Sequence, residues 1–165
     1  MNFGHRYEHT DNEMMLLQAN LDDMNPEFCS HVAERLFSAG ANDVYWVPLL
    51  MKKGRPGLML NVLAHRDAME RMKEIVFRET TTLGVRYFPV ECHRLGREFV
   101  SVDTPWGPVR IKKGIYRGEE VQIAPEHDDC ARIAEASGVP LKTVYEAAKQ
   151  AYWKQNRPDV RPDEG

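Results

Sequence analysis

Twice between residues 14 and 93 a strand-length apolar run hands over to a helix-length amphipathic segment and then to another run. That order constrains the fold more than any other feature, because strand, crossover helix and strand pack back onto one sheet with a fixed hand. Met-Met-Leu-Leu-Gln-Ala-Asn-Leu at residues 14–21 is the first run. Asp22, Asp23 and Met24 follow, and Asn25 with Pro26 then opens a helix, since Asn suits the cap and Pro the first helical position. Phe28, Val32 and Leu36, flanked by Cys29, Ala33 and Phe37, recur at helical spacing until Gly40 closes the segment. Residues 44–50 and 58–63 read as strands around the basic turn Lys52-Lys53-Gly54-Arg55-Pro56-Gly57. A second helix is expected from Asp67, with Glu70 three residues on as in a capping box and Met69, Met72, Ile75 and Val76 on its apolar face. Three threonines and Gly84 end it, and residues 85–92 form a fourth strand. Residues 14–93 are therefore expected to fold as a ferredoxin-like βαββαβ domain of the α+β class.

Residues 94–153 have another rhythm and are expected to form a small α+β domain, short antiparallel strands followed by two helices. Residues 98–103 and 109–113 flank Thr104-Pro105-Trp106-Gly107-Pro108, with Pro at the second position of a tight bend, and residues 119–124 add a strand. Pro125 leads into a helix through Cys130 and Ile133 that Gly138 terminates. Pro140 opens the last helix, with Leu141, Val144, Tyr145, Ala148, Ala151 and Tyr152 on one face. Residues 1–13 are polar and expected to be loose. Residues 154–165, charged and holding two prolines, are expected to be a disordered tail.

Composition excludes several classes of function. Across 165 residues, 42% are hydrophobic, enough to bury a core. The 22 basic and 25 acidic residues sum to −3, so no overall basic field announces a nucleic-acid binder. No apolar run approaches the ~18 residues of a membrane helix, and residues 1–12 lack the apolar core of a signal peptide. Cys29, Cys92 and Cys130, odd in number and far apart, suit free thiols. A cytoplasmic protein is the expectation. Charge is uneven, however: residues 94–125 hold six basic groups against four acidic, and residues 1–93 hold ten against thirteen.

Several stretches can carry chemistry, and each has a plainer reading. Asp22-Asp23 at a strand end can hold Mg²⁺ or Mn²⁺, hard cations that prefer oxygen, or can complement a helix dipole. The basic turn at residues 52–57 can grip phosphate or carboxylate with Lys, Arg and glycine-freed backbone N–H groups, or can be a solvated hairpin. Arg78-Glu79-Thr80-Thr81-Thr82-Leu83-Gly84-Val85-Arg86 surrenders helix propensity for hydroxyls between two arginines, which suits phosphate or ribose. Its plain reading is a frayed, Thr-capped helix end. Glu126-His127-Asp128-Asp129 can bind metal or simply begin a helix. Cys92-His93 is a ligand pair that nickel accepts, though two residues do not make a site. Residues 131–145 resemble a helix-turn-helix, but the second helix offers mostly Lys142 and Thr143 to base edges.

At Asn20-Leu21-Asp22-Asp23-Met24-Asn25-Pro26-Glu27 the chain resembles the C-terminal region of the LarC family, nickel-insertion proteins that make the nickel-pincer nucleotide cofactor of lactate racemase. The resemblance continues through residues 51–57 and 77–86, Thr104-Pro105-Trp106-Gly107-Pro108-Val109-Arg110 with Lys112, Ala124-Pro125-Glu126, Asp128-Asp129-Cys130 and Gly138-Val139-Pro140-Leu141, and covers residues 14–152. It implies a CTP-dependent cyclometallase of the lyase class. Such an enzyme inserts Ni²⁺ into pyridinium-3,5-bisthiocarboxylic acid mononucleotide, forming nickel–sulfur and nickel–carbon bonds, and splits CTP to CMP and pyrophosphate.

On that resemblance CTP comes with Mg²⁺ or Mn²⁺. Lys52, Lys53, Arg55, Arg78, Thr80, Thr81, Thr82, Arg86, Arg110 and Lys112 are the candidates to hold it. Asp22, Asp23, Glu79, Glu126 and Asp128 are candidate metal ligands, and no catalytic residue is singled out. A homo-oligomer is implied, with the pyridinium mononucleotide as substrate. Family members carry a larger, often His-rich preceding region, so an N-terminal nickel-supplying region or polypeptide is an expected partner; DNA and membrane are not. Two alternatives stay open: a ligand-sensing transcription regulator with a C-terminal helix-turn-helix, and a nucleotide-binding regulatory subunit without catalysis.

Overall fold

A computed structural model of the chain describes residues 6–156. They divide into two compact units, Thr10–His93 and residues 94–156, and residues 6–9 belong with the second.

The first unit contains β1 (His9–Leu21), α1 (Phe28–Ser38), β2 (Asp43–Met51), β3 (Arg55–His65), α2 (Met69–Glu79) and β4 (Arg86–Arg94). Its sheet order is β2-β3-β1-β4, the arrangement that two interleaved βαβ halves produce. β3 runs antiparallel to both β1 and β2. Alternation on β1 decides which face is covered. Met15, Leu17, Ala19 and Leu21 are buried with Leu60, Val62 and Ala64 of β3 under Val32 and Leu36 of α1 and Met69, Met72, Ile75 and Val76 of α2. Each large side chain fully buried in this way contributes about 1.5–3 kcal/mol. The intervening residues of β1 and β3 therefore face away from the helices.

Local signals shift some boundaries. β1 begins at His9, so residues 9–13 are strand rather than loose chain. Their polar sequence hides this, and pairing in the sheet with an ion contact from Arg66 Nε to Glu13 Oε2 at 3.0 Å supplies the order. Asn25 does bind the Glu27 N–H at 3.1 Å, but the bonds that follow close a tight turn, and regular helix starts only at Phe28. Asp67 does not cap α2. His65 Nδ1 instead accepts the Asp67 N–H at 3.3 Å and a short 3-10 turn, Arg66–Ala68, precedes the helix. Arg55, Pro56 and Gly57 belong to β3 rather than to the turn, because they pair in register with Met51, Leu50 and Leu49.

The second unit contains β5 (Gly96–Thr104), β6 (Gly107–Tyr116), β7 (Glu119–Pro125), α3 (His127–Ser137) and α4 (Leu141–Asn156). The strands form an antiparallel sheet in chain order. Gly138, at φ 65°, ends α3 in the left-handed conformation that glycine adopts without strain. The two helices bury Cys130, Ile133, Val144, Ala148 and Tyr152 against Val102, Val109 and Ile111, so the pair resembling a helix-turn-helix is the layer that covers this sheet. α4 extends through Asn156, past the expected start of the tail at Lys154; residues 157–165 lie outside the described residues.

Residues 6–9 are anchored to the second unit from within. Glu8 Oε2 accepts the backbone N–H of Arg117 at 2.6 Å, in the turn where Arg117 (φ 51°) and Gly118 (φ 83°) are both left-handed. Gly96 passes so close that a Cβ there would lie 3.1 Å from the Glu8 nitrogen. All three cysteines are free thiols, and among the described residues no helix is long and apolar enough to cross a membrane.

Candidate functional site

The face of the first sheet that the helices leave uncovered carries a polar stripe. On β1 it includes Gln18 and Asn20. Their register partners on β3 are Asn61 and Met59. Arg86, the first residue of β4, reaches across β1: its Nε donates to Gln18 Oε1 at 2.9 Å and its Nη2 donates to Asn20 Oδ1 and Met59 Sδ, both at 3.1 Å. Behind them Gln18 Nε2 donates to Asn61 Oδ1 at 2.8 Å, and Asn61 Nδ2 donates to the Met59 carbonyl at 3.2 Å. Asn61, 1% exposed, is the one buried polar residue among those described. A buried amide must keep its hydrogen bonds, so this chain of bonds has a single orientation.

The stripe continues to the strand ends. Arg55 Nη1 donates to Asp22 Oδ2 at 3.2 Å, and Thr81 Oγ1 donates to Asp23 Oδ1 at 2.5 Å. A glycine makes this junction possible, since a Cβ on Gly57 would lie 2.6 Å from the Leu21 carbonyl and 2.7 Å from Met51 Sδ. The hairpin turn is only Lys52–Gly54, with Lys53 at φ 63° and Gly54 at φ 69°. A left-handed lysine is uncommon and lets the chain reverse within three residues. Neither Lys52 nor Lys53 has an acidic partner among the described residues, and both are exposed.

The other residues proposed from sequence have their own partners. Thr80 Oγ1 donates to the Val76 carbonyl at 2.6 Å and Thr82 Oγ1 to the Gly84 carbonyl at 2.8 Å, so of the three threonines only Thr81 reaches another side chain. Arg78 pairs with Glu74 at 3.0 Å, and Glu79 faces His31 at 3.3 Å and Arg35 at 3.7 Å. Arg35, Glu74, Arg78 and Glu79 line part of a groove of about 500 Å³ between α1 and α2.

In the second unit Asp129 takes Arg110 in a fork, Nε to Oδ2 at 2.8 Å and Nη2 to Oδ1 at 3.2 Å, and also accepts the Arg110 backbone N–H at 3.1 Å. Those bonds hold the Asp129 carboxyl below its ordinary range and raise Arg110. Lys112 Nζ sits 2.9 Å from Glu126 Oε1, a charge contact that falls short of hydrogen-bond geometry. Asp128 is fully exposed beside His127.

Among the described residues no group of three His, Cys, Asp or Glu side chains could hold a metal ion. Asp22 and Asp23 do fit one kind of ion. Each spends one oxygen on a donor and keeps the other, and Mg²⁺ or Mn²⁺ delivered with phosphates needs only one or two carboxylates because phosphate and water complete its shell. Glu79 has its own basic partners, and Glu126 and Asp128 belong to the second unit. Sequence reasoning missed Gln18, Asn20, Met59 and Asn61. The available signal was amides at alternate positions of a strand whose other residues are apolar.

Comparison with known proteins adds an independent line. A family described as nickel insertion protein matches residues 3–145. A putative nickel insertion protein of Myxococcus xanthus is 46% identical over 147 residues, covering 88% of this chain and 38% of that protein. The pyridinium-3,5-bisthiocarboxylic acid mononucleotide nickel insertion protein of Desulfitobacterium hafniense is 40% identical over 140 residues, 85% of this chain and 35% of that one. Among solved structures, LarC2 in its apo form, the C-terminal domain of a cyclometallase involved in the synthesis of the NPN cofactor of lactate racemase, superposes with a TM-score of 0.83 at 38% identity. That match covers 87% of this chain and 99% of the LarC2 chain. The chain thus spans little more than a third of the length of these curated relatives, and nearly all of the solved domain.

Proposed function

Because this chain belongs to the nickel insertion protein family, we propose that it is the nucleotide-handling part of an enzyme that metallates pyridinium-3,5-bisthiocarboxylic acid mononucleotide to build the nickel-pincer cofactor of lactate racemase. In this reading CTP binds with Mg²⁺ or Mn²⁺ and is cleaved between its α and β phosphates to CMP and pyrophosphate, while Ni²⁺ is the metal inserted. The observation that carries it is the end of the first sheet, where Lys52 and Lys53 stand unneutralised on a turn that continues into Arg55 and its partner Asp22. Two lysines on a tight reversal offer point charges to phosphate, and Arg55 can add a planar fork. Asp22 and Asp23 would hold the divalent ion, which neutralises phosphate oxygens when bound. Thr81 keeps Asp23 oriented and Arg55 keeps Asp22 oriented, so neither carboxylate has to be ordered by the ligand.

Nickel supply belongs in this reading to a region or polypeptide outside the part of the relatives that this chain matches. Nickel retention needs several soft or imidazole ligands together, and the described residues hold no such group. The same reading gives a cytoplasmic homo-oligomer of the lyase class. A nucleotide panel read by thermal shift, with and without Mn²⁺, tests it. CTP with Mn²⁺ should raise Tm more than ATP, GTP or UTP, and indifference to every nucleotide sinks the proposal.

A further inference from the structure

We propose that Arg86, with the amides that hold it, is a receptor for a carboxylate or thiocarboxylate group on a flat ring substrate rather than part of the triphosphate grip. The ring's identity rests on the nickel-insertion reading above; the receptor's geometry does not.

Arg86 differs from the arginines that face a carboxylate. Arg55 faces Asp22, Arg66 faces Glu13, Arg78 faces Glu74 and Arg110 faces Asp129. The partners of Arg86 are two amide oxygens and a thioether, all neutral. Its charge is thus fixed in position and left uncompensated by any carboxylate among the described residues. Fixing comes from behind: buried Asn61 takes the Gln18 amide nitrogen, so the Gln18 oxygen must point at Arg86. Such a cation pays little ordering entropy when an anion arrives.

What the assembly leaves unspent also points one way. Arg86 Nη1 and the Asn20 amide nitrogen make no hydrogen bond to the described residues, and both are donors only. Unspent N–H groups beside a fixed positive charge favour a ligand edge made of lone pairs over one that offers N–H. A carboxylate is planar, negative and made of two acceptors, which suits the donors left on Arg86 Nη1 and on the Asn20 amide. A thiocarboxylate keeps that match and gives the polarisable Met59 sulfur a sulfur neighbour. Asn20 and Asp22 are two residues apart in the chain, so the receptor lies about 7 Å from the start of the candidate cation site.

Calorimetric titration of the full chain tests this with pyridine-3,5-dicarboxylate, its bis-thiocarboxylate analogue, inorganic phosphate and CTP with Mn²⁺. Both ring dianions should bind, and phosphate should compete with them poorly. Arg86→Lys removes the planar guanidinium and its spare Nη1 donors, and Asn20→Asp, the same size, supplies the carboxylate that Arg86 lacks. Each should weaken the ring dianions about tenfold or more, a loss of about 1.4 kcal/mol, and leave CTP affinity within about twofold. Tm of each unliganded variant checks that the fold is kept. The receptor is overturned by absent binding of the dianions, by unchanged affinity in both variants, by equal competition from phosphate, or by loss of CTP rather than of the ring. A dianion response that depends on Arg86 in a chain that binds no CTP upholds the receptor and removes the nucleotide reading.

Discussion

The two units differ in what surrounds the cations that stand out in their sequences. In the second, Arg110 is forked onto Asp129, Lys112 lies against Glu126, and Lys113 bridges Glu98 at 3.5 Å and Glu120 at 3.1 Å. In the first, Lys52, Lys53 and Arg86 meet no carboxylate among the described residues. A paired cation ties elements together: here it fixes the start of α3 to β6 and, through the Tyr152 hydroxyl donating to Glu120 at 2.5 Å, fixes α4 to β7. An unpaired one is charge held ready for something that arrives later. Counting lysines and arginines cannot separate the two; their partners can.

The contrast breaks most visibly if the wrong unit responds to nucleotide. Lys52→Ala combined with Lys53→Ala should weaken CTP with Mn²⁺ by roughly 100-fold or more in calorimetry, since charge-assisted contacts are worth about 1.5–3 kcal/mol each. Their Tm without ligand should match the parent, because exposed turn substitutions usually change stability by less than ~0.5 kcal/mol. A drop in Tm with intact affinity would make them structural after all.

The reverse pattern is expected of Asp129→Asn. It should lower Tm by several degrees and leave CTP affinity untouched. Its pH dependence sharpens the point. Hydrogen bonds from Arg110 depress Asp129, and the bond from Tyr152 followed by that from Lys113 depresses Glu120. A carboxyl whose folded pKa lies below its unfolded value stabilises at neutral pH, and that contribution fades as pH falls through the ordinary carboxylate range near ~4 and below. Tm followed from neutral to acid pH should therefore fall less steeply in Asp129→Asn than in the parent. Equal slopes would deny the fork its role. The smallest effect belongs to Tyr152→Phe, which removes one hydrogen bond and keeps the buried ring. About 1 kcal/mol of stability should be lost, seen as a shift in denaturant midpoint at constant slope.

Much of the fold was legible because burial writes itself into spacing. Met15, Leu17, Ala19 and Leu21 alternate as a strand with one covered face must, and Met69, Met72, Ile75 and Val76 lie where a helix of that phase buries them. Caps were less legible, since His65 and Asp67 compete for the same job within three residues and only geometry decides. The site divides along the same line. Asp22, Asp23, Lys52 and Lys53 stand out as charges at strand ends. Gln18 and Asn20 look like ordinary solvent-facing strand positions, and their meaning depends on register with Asn61, 43 residues away, and on Arg86, 68 residues from Gln18. Arg110 and Lys112 show in the sequence as bare charges, and their partners Asp129 and Glu126 become visible only when α3 folds back.

Residues 6–9 add a consequence for anyone who would take the molecule apart. The chain starts its described course in one unit, leaves it to build an inner strand of the other, and comes back at Arg94. The first unit is in effect nested inside the second, as an insertion is nested in its host. A single cut at residues 93 and 94 therefore cannot yield two intact pieces. The fragment from Arg94 onward would lose the Glu8 carboxylate that steadies the left-handed turn at Arg117, and Gly96 would face an empty seat where a neighbouring backbone had been. Clean dissection needs two cuts and a rejoined host, with residues 6–9 linked directly to Arg94.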